Sequence, residues 1–290
     1  MRGQEAKALA RHRDRPYIGD MTAFLKMHGL GNDFVVFDAR GKGLALDAAS
    51  ARALADRRFG VGCDQVIVIG AGSSGADAAM RIYNADGGQV ESCGNAARCV
   101  ARLLMEEKDR DRVVIDTPGA VIVCTDAGRG DVTVDMGVPK FDWRDIPLAR
   151  EVDTNRFALD GMEAAAVNVG NPHCVLFRDA TDIATLGPKL ETHPMFPART
   201  NVEFVTVQDR THLRMQVWER GVGVTSACGT GACASAVAAH RRGLSDRKVE
   251  VMLDGGALAI EWRESDGHML MTGPATLAFK GEVDLKDYAT

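Results

Sequence analysis

Two cysteines occupy equivalent positions in a run of residues that this chain contains twice. The first copy, Met80 to Ala101, reads MRIYNADGGQVESCGNAARCVA, and the second, Met215 to Ala236, reads MQVWERGVGVTSACGTGACASA. The copies align without a gap at an offset of 135 residues, and each leads into a Cys-Gly-polar sequence. These sequences are Cys93-Gly94-Asn95 and Cys228-Gly229-Thr230. The duplication therefore predicts two half-chains that each present one thiol in the same local frame.

A pair of thiols that face each other across one carbon forms an acid and a base on opposite sides. This arrangement suits removal of a proton from one face of an sp³ carbon and its return to the other face, which inverts the stereocentre. A free thiol has a pKa of about 8.5, and a helix N-terminus lowers it, so we expect one thiolate and one thiol to coexist at Cys93 and Cys228. Asn95 and Thr230, just inside the predicted helices, leave early backbone N–H groups free to bind a carboxylate. The same N–H groups would stabilise the negative charge that develops as the α-proton leaves.

Other roles for the cysteines stay open at this point. A single cysteine before a helix is more often a small buried hydrophobe than a base. A zinc site would need the four helix-associated cysteines to converge, but neither pair has the usual gap of about two to four residues, so no metal site is predicted. The remaining cysteines lie on apolar helix faces or in or beside strands, and we expect them to pack in the core: Cys63, Cys99, Cys124, Cys174 and Cys233.

Polar side chains near the two cysteines are candidates for substrate binding. If Glu219 and Arg220 face a cleft, Glu219 can bind an ammonium group and Arg220 a second carboxylate; as a solvated pair they would have no role. His173 is predicted either to tune the nearby thiol or to be a structural imidazole bonded to the backbone. Side-chain amides beside glycines or at strand ends suit a polar substrate, although each alone is more often a turn residue: Asn32, Gln65, Asn84, Asn171 and Asn201.

The composition indicates a soluble globular protein with a small-molecule ligand. Of 290 residues, 46% are hydrophobic and 26% charged, and the net charge of −5 argues against a nucleic-acid partner. No apolar stretch approaches the roughly 18 residues of a membrane span, and no glycine-rich run forms a nucleotide-binding fingerprint. Seven cysteines without a secretory segment favour free thiols in the cytoplasm. Residues 1–20 are rich in Arg and are predicted not to pack; they read as an upstream extension, with a cleaved targeting segment as the alternative.

The repeat predicts an α+β fold of two pseudo-symmetric domains. One domain comprises residues 21–137 together with 274–290, and the other comprises residues 138–273. Each has one long helix with little polar surface, at 95–108 and 229–242, so each helix should be wrapped by a curved, barrel-like mixed sheet with the site in the cleft between domains. A short surface helix capped by Asp47 is predicted within 44–58. Strands are predicted at 23–37, 65–69, 79–83, 113–123, 131–138, 164–177, 201–207, 213–218 and 249–283.

Seven runs in this order resemble the diaminopimelate epimerase family: KMHGLGNDF, GVGCDQ, RIYNADG, ESCGNAARC, VGNPHC, TNVEFV and WERGVGVTSACGTGACA. The resemblance extends from about Phe24 to the C-terminus. It implies two similar α/β domains around an interdomain active site and a homodimeric isomerase that uses no cofactor, pyridoxal phosphate included. The implied reaction interconverts LL- and meso-diaminopimelate in lysine and peptidoglycan precursor synthesis.

The resemblance also implies roles for individual residues. The catalytic thiols would be Cys93 and Cys228, and His173 and Glu219 would adjust their acidity. Ala96 replaces a glycine that is common in the family, and Val224 stands where many members have Glu. The residues implied to bind substrate are Asn32, Gln65, Asn84, Gly94, Asn95, Asn171, Asn201, Glu219, Arg220, Gly229 and Thr230.

Three alternatives differ from this assignment in ways that the sequence can address. Proline racemase-like enzymes typically have His where this chain has Asn95, and they need no distal carboxylate site such as Arg220. Phenazine-pathway isomerases lack the paired thiols. The non-enzymatic alternative is a duplicated amino-acid-binding module in which the cysteines only pack.

Overall fold

The computed structural model describes residues 21–289, apart from residues 42, 45, 74 and 92. The predicted N-terminal extension, residues 1–20, lies outside the described residues. The first half of the described chain contains β1 (Met21–Gly29), β2 (Asn32–Asp38), α1 (Ala48–Ala55), β3 (Gln65–Gly70), β4 (Ala78–Asn84), β5 (Gln89–Val90), α2 (Gly94–Lys108), β6 (Arg112–Asp116), β7 (Val121–Gly128) and β8 (Asp131–Asp135).

The second half repeats this order. It contains β9 (Phe157–Leu159), β10 (Met162–Asn168), β11 (Pro172–Leu176), α3 (Ile183–Glu191), β12 (Asn201–Val207), β13 (His212–Glu219), β14 (Gly223–Thr225), α4 (Gly229–Arg241), β15 (Lys248–Leu253), β16 (Gly256–Trp262), β17 (Met269–Pro274) and β18 (Thr276–Asp284). A short 3₁₀ turn, Leu285–Tyr288, follows β18. No helix in the described part of the chain is long and apolar enough to cross a membrane.

Strand pairing follows the same pattern in both halves. In the first half, β1 and β2 are antiparallel, β2 and β3 parallel, β3 and β4 antiparallel, and β4 and β6 parallel. The strands β10, β11, β12, β13 and β15 repeat this series. The mixed sheet with few helices and the two repeated domains confirm the α+β prediction.

Equivalent strands of the two halves form an antiparallel pair. Strands β8 and β17, which are equivalent in the two halves, pair with Thr133 opposite Thr272, and the two hydroxyl oxygens lie 2.7 Å apart. Because equivalent strands that run antiparallel are related by a local twofold axis, this pair marks the relation between the halves. The chain then continues into β18, which pairs with β1.

The two long helices lie inside the hydrophobic core. Small residues dominate α4, where Ala232, Ala234 and Val237 are fully buried, so the surrounding strands can approach the helix closely. In α2 the apolar positions are likewise buried, but so is Arg98, which the prediction of an apolar helix did not anticipate. Its Nε donates to the carbonyl of Pro274 at 3.2 Å. It pairs with no carboxylate among the described residues, and burial lowers its pKa.

Local signals located most of the helices correctly. Asp47 caps α1 by accepting a hydrogen bond from the Ser50 N–H at 2.7 Å, as predicted. The sequence did not predict α3, because Gly187 and Pro188 lie inside it. Gly187 is required there, since a Cβ would lie 2.6 Å from the indole of Trp218. The predicted strand region 113–123 is a hairpin of two strands, β6 and β7.

Candidate active site

Cys93 and Cys228 are the N-cap residues of the two central helices. Their backbones are extended, with φ −151° and ψ 112° at Cys93 and φ −125° and ψ 109° at Cys228. Their carbonyl oxygens accept the first helical hydrogen bonds, from Ala97 N at 2.9 Å and Ala232 N at 3.0 Å. The prediction that a helix begins at Cys93 is confirmed. Each thiol therefore lies beside N–H groups that have no acceptor within the helix.

The N-termini of the two helices lie side by side. A Cβ at Gly94 would be 2.6 Å from Met271 Cε, and a Cβ at Gly229 would be 2.7 Å from the sulfur of the same methionine. Asn95 Nδ2 donates to the carbonyl of Ala227 at 3.5 Å, directly before the second cysteine. A side chain at either glycine would require the buried Met271 side chain to shift, so both glycines leave room for the same methionine.

Burial raises the pKa of both thiols. At Cys93 a hydrogen bond from the Ala96 N–H lowers the pKa and so opposes burial, whereas the carboxylate of Glu219 raises the pKa further. At Cys228, which is 6% exposed, Glu219 and then Glu203 add to the effect of burial. The N–H groups at the helix N-termini do lower the pKa, as expected, but the predicted net lowering is wrong, because desolvation of the thiolate outweighs its stabilisation by these groups. One carboxylate, Glu219, influences both thiols.

The two thiols differ in their hydrogen bonds. Cys228 Sγ accepts from the Gly231 N–H at 3.3 Å and lies 3.5 Å from the Thr230 hydroxyl. Cys93 Sγ lies 4.0 Å from Asn32 Oδ1, which is the weaker contact. Backbone N–H groups of the first helix turn lower the pKa at both cysteines, and at Cys228 the Thr230 hydroxyl also does so.

Side-chain amides of the first half form two hydrogen-bonded pairs, one of which contains Asn32 beside Cys93. Asn32 Nδ2 donates to Asp64 Oδ2 at 2.9 Å, and Asn32 Oδ1 accepts from Asn95 Nδ2 at 3.1 Å. Gln65 Nε2 donates to Asn84 Oδ1 at 2.9 Å. Gln65 Oε1 is buried without a partner among the described residues, so this acceptor remains available for a ligand donor.

His173 lies in a buried row of side chains in the second half. Its Nδ1 is 2.6 Å from Glu203 Oε1, and its Nε2 is 2.7 Å from Asn171 Oδ1. The alternative of an imidazole bonded to the backbone is therefore wrong, because both ring nitrogens face side chains. Sequence reasoning missed Glu203, although a signal existed. The equivalent residue in the first half is Ile67, so a carboxyl group replaces a buried aliphatic side chain.

The Glu219 and Arg220 side chains lie in different surroundings. Glu219 Oε1 accepts from the Thr225 hydroxyl. Burial raises the pKa of Glu219, although that bond and His173 oppose the shift. Arg220 is exposed, and its guanidinium donates to the Ala198 carbonyl at 3.2 Å without an ion pair in the described part of the chain. A cation without a carboxylate partner is suited to bind an acidic ligand.

Two further side chains hold the turn that carries Arg220. Asn201 Oδ1 accepts from the Arg220 N–H at 2.9 Å, while its Nδ2 donates to the Pro172 carbonyl at 2.9 Å. Both ends of the Asn201 amide therefore bond to the protein. Glu191 accepts from Trp218 Nε1 at 2.7 Å and from the Gly221 N–H at 3.0 Å. Sequence reasoning missed Glu191 because it belongs to α3, the helix that was not predicted.

Solved proteins with this fold are isomerases and biosynthetic proteins. A hydroxyproline epimerase from Agrobacterium vitis superposes with a TM-score of 0.66 at 17% identity, over 91% of this chain and 92% of that chain. A phenazine biosynthesis protein from Bacillus anthracis superposes with a TM-score of 0.66 at 13% identity, over 91% and 99% of the two chains. The fold is thus that of the duplicated α+β class which contains such epimerases.

Sequence comparison identifies the family within that class. The family model of diaminopimelate epimerase matches residues 24–141 and 165–278. The diaminopimelate epimerase of Erythrobacter litoralis is 53% identical over 274 residues, which cover 92% of this chain and 99% of that protein. The chain belongs to the diaminopimelate epimerase family and is an isomerase. The resemblance found in the seven sequence runs is confirmed.

Proposed function

We propose that this chain is a cofactor-independent epimerase that interconverts LL- and meso-diaminopimelate by a two-base mechanism with Cys93 and Cys228. The observation that carries the proposal is the pair of cysteine N-caps on neighbouring helices related by a local twofold axis. Two equivalent thiols at such positions approach one bound carbon from opposite sides.

The reaction needs one proton removed and one returned. One cysteine, as thiolate, takes the α-proton, and the other, as thiol, donates its proton to the opposite face of the same carbon. In the reverse direction the two sulfurs exchange roles. Because burial raises the pKa of both thiols, the substrate's α-ammonium group would favour thiolate formation by supplying a nearby positive charge.

The substrate's reacting carboxylate is proposed to bind at the helix N-termini. The first N–H groups there, including those of Gly94, Asn95, Gly229 and Thr230, have no helical acceptors and bear the positive end of each helix dipole. They would hold the carboxylate and stabilise the charge that spreads into it as the α-proton leaves.

The distal amino-acid group of the substrate is proposed to bind on the side of the second half. Arg220 would bind the distal carboxylate and Glu219 the distal ammonium group, since Arg220 has no ion-pair partner among the described residues. Further ligand contacts are proposed for the amides of Asn32, Gln65, Asn84 and Asn171. Asn201 would act by holding the Arg220 turn, and His173 and Glu219 by adjusting the acidity of the thiols.

We further propose that the protein acts in the cytoplasm, in lysine and peptidoglycan precursor synthesis, as a homodimer. Strand β18 pairs only with β1 in the described part of the chain, so its other edge is free for a second strand. Leu277 and Phe279 on this strand are 40% and 51% exposed. A free strand edge with exposed apolar side chains is suited to pair with a second copy of the chain.

Incubation with LL-diaminopimelate in deuterated water tests the reaction. We expect deuterium at the α-carbon together with formation of the meso isomer, and no exchange with proline or glutamate. Cys93→Ala and Cys228→Ala should each abolish turnover in both directions. The matched controls are Cys99→Ala and Cys233→Ala, which truncate buried cysteines of the same helices and should retain activity. Full turnover in either N-cap variant would refute the two-base mechanism, and binding without exchange in the wild type would favour a binding module.

A further inference from the structure

A buried carboxyl group lies behind His173, outside the set of residues given a role above. Glu203 and His173 are both 0% exposed, and Glu203 Oε1 lies 2.6 Å from His173 Nδ1. Glu203 Oε2 is buried without a hydrogen-bond partner among the described residues. The other ring nitrogen, Nε2, lies 2.7 Å from Asn171 Oδ1. A row of three side chains therefore leads from the core to a residue proposed to contact substrate.

The protonation of this row follows from its burial. A carboxylate beside a neutral imidazole would leave a net negative charge at a fully buried position, which is costly. Burial accordingly raises the pKa of Glu203, although His173 opposes the shift. The partnerless Oε2 also favours the neutral acid over a carboxylate, because a bare anionic oxygen is the costlier group to bury.

If Glu203 and His173 together carry no net charge, the ring nitrogen that faces Asn171, Nε2, must carry hydrogen. If Glu203 keeps its proton, it donates to Nδ1 of a ring that carries hydrogen on Nε2. If the proton moves to the ring, both nitrogens carry hydrogen. In either case Nε2–H donates to Asn171 Oδ1, so the amide oxygen faces the ring and its NH₂ group is directed away. Among the described residues, the bond to His173 is made by Asn171 Oδ1, and Asn171 Nδ2 donates to no protein group.

Asn32 is the residue of the first half that is equivalent to Asn171, and its side-chain amide has the opposite orientation: its NH₂ group bonds to a carboxylate of the protein. Asn32 Nδ2 donates to Asp64, whereas its oxygen accepts from Asn95 Nδ2 at 3.1 Å and lies 4.0 Å from Cys93 Sγ. One half thus presents an amide oxygen, which suits an ammonium group, and the other presents an NH₂ group, which suits a carboxylate. The pseudo-twofold relation is broken at the position where an amino acid substrate is itself asymmetric.

We propose that Glu203 is a positioning residue. Together with His173 it retains one proton in a net-neutral buried pair, and that proton fixes the Asn171 amide with its NH₂ group toward a substrate carboxylate. The part of this inference that concerns substrate binding rests on the proposed function, whereas the part that concerns the protonation of the His173 ring does not.

Two substitutions distinguish the effect of the proton shared by Glu203 and His173 from the effect of having a side chain of this size at position 203. In Glu203→Gln the amide NH₂ can donate to Nδ1 as the protonated acid does, so Nε2–H and the orientation of Asn171 are retained. Glu203→Met fills similar space but gives Nδ1 no partner, so the ring is free to carry its hydrogen on Nδ1 and the Asn171 amide is free to reverse. The matched control is Glu163→Met, which removes an exposed carboxylate from β10 in the same half.

The first measurement is ¹⁵N NMR of the His173 ring at neutral pH in the full chain. We expect hydrogen on Nε2 of His173 in the wild type, in Glu203→Gln and in Glu163→Met. In Glu203→Met we expect the hydrogen to move to Nδ1 or to be divided between the two tautomers. A bare Nε2 in the wild type overturns the proposal, even if the variants fail to fold and whether or not the protein turns over diaminopimelate.

The second measurement is steady-state kinetics with diaminopimelate. Reversal of one amide that binds a carboxylate should raise KM about 10- to 100-fold in Glu203→Met, because a hydrogen bond to a charged group of the substrate is lost. Glu203→Gln should restore KM to within a few-fold of the wild type. An unchanged KM in a folded Glu203→Met, or an equal defect in both Glu203 variants, would contradict the positioning role.

Discussion

Substitution of Glu191 by Gln should loosen the turn that carries Arg220. The Glu191 carboxylate accepts from three donors, namely Trp218 Nε1–H at 2.7 Å, the Gly221 N–H at 3.0 Å and Arg199 Nη1 at 3.4 Å. A carboxylate only accepts, so it satisfies all three, whereas a glutamine must turn its NH₂ group toward at least one of them. Glu191 is 6% exposed, so water has little access to the donor left without a partner.

The expected loss follows from these contacts. A hydrogen bond to a charged group contributes about 1.5–3 kcal/mol, and a buried donor without an acceptor costs about 1–3 kcal/mol. With partial relaxation of the turn, we expect the free energy of unfolding of Glu191→Gln to fall by about 2–4 kcal/mol. The KM for diaminopimelate should rise as well, because Arg220 lies between Trp218 and Gly221, two of the residues that Glu191 holds.

Urea unfolding followed by Trp fluorescence measures the first quantity, and initial rates measure the second. Glu106→Gln is the control, since Glu106 forms an exposed pair with Arg102 in which a loss of less than about 1 kcal/mol is expected. If Glu191→Gln unfolds at the wild-type urea concentration and keeps the wild-type KM, the argument from acceptor geometry is refuted.

Three other perturbations test separate parts of the structure. Gly187→Ala should destabilise the fold by about 1–3 kcal/mol in a urea titration, because the new Cβ would lie 2.6 Å from the Trp218 ring; an unchanged midpoint would mean that the ring moves freely. Burial raises the pKa of Asp33, but hydrogen bonds from Arg57 and Lys26 lower it to about 2. The contribution of the Asp33 carboxylate to the free energy of unfolding, about 2 kcal/mol, is therefore present above pH 4 and lost as the pH falls toward 2. The stability gap between wild type and Asp33→Asn should therefore close over that range in urea titrations, and a constant gap would contradict the assignment. Phe279→Asp should convert the proposed dimer to monomer in sedimentation equilibrium without unfolding it, and a variant that sediments as the wild type does would exclude this edge as the interface.

The sequence alone determined the duplication and much of the architecture. The offset of 135 residues between the two Cys-Gly sequences anticipated equivalent helices, and each helix does begin directly after its cysteine. Asp47 and the apolar periodicity located α1 as well. A cap and a run of small residues act within a few helical turns, and a repeat is visible by comparing two segments of the sequence, so all three can be recognised without knowledge of the fold.

Tertiary structure alone decided the electrostatics of the candidate site. The sequence suggested that helix N-termini lower the pKa of the thiols, yet burial raises it at Cys93 and Cys228. Glu203, Glu191 and Arg98 were not identified from the sequence, although the repeat aligns Glu203 with the apolar Ile67; the sequence could not show which groups surround the three side chains once they are buried. Desolvation depends on how many atoms from distant strands surround a group, and hydrogen bonding depends on which of those atoms face it. Both are set by packing between segments far apart in the chain, so local sequence patterns carry little information about them.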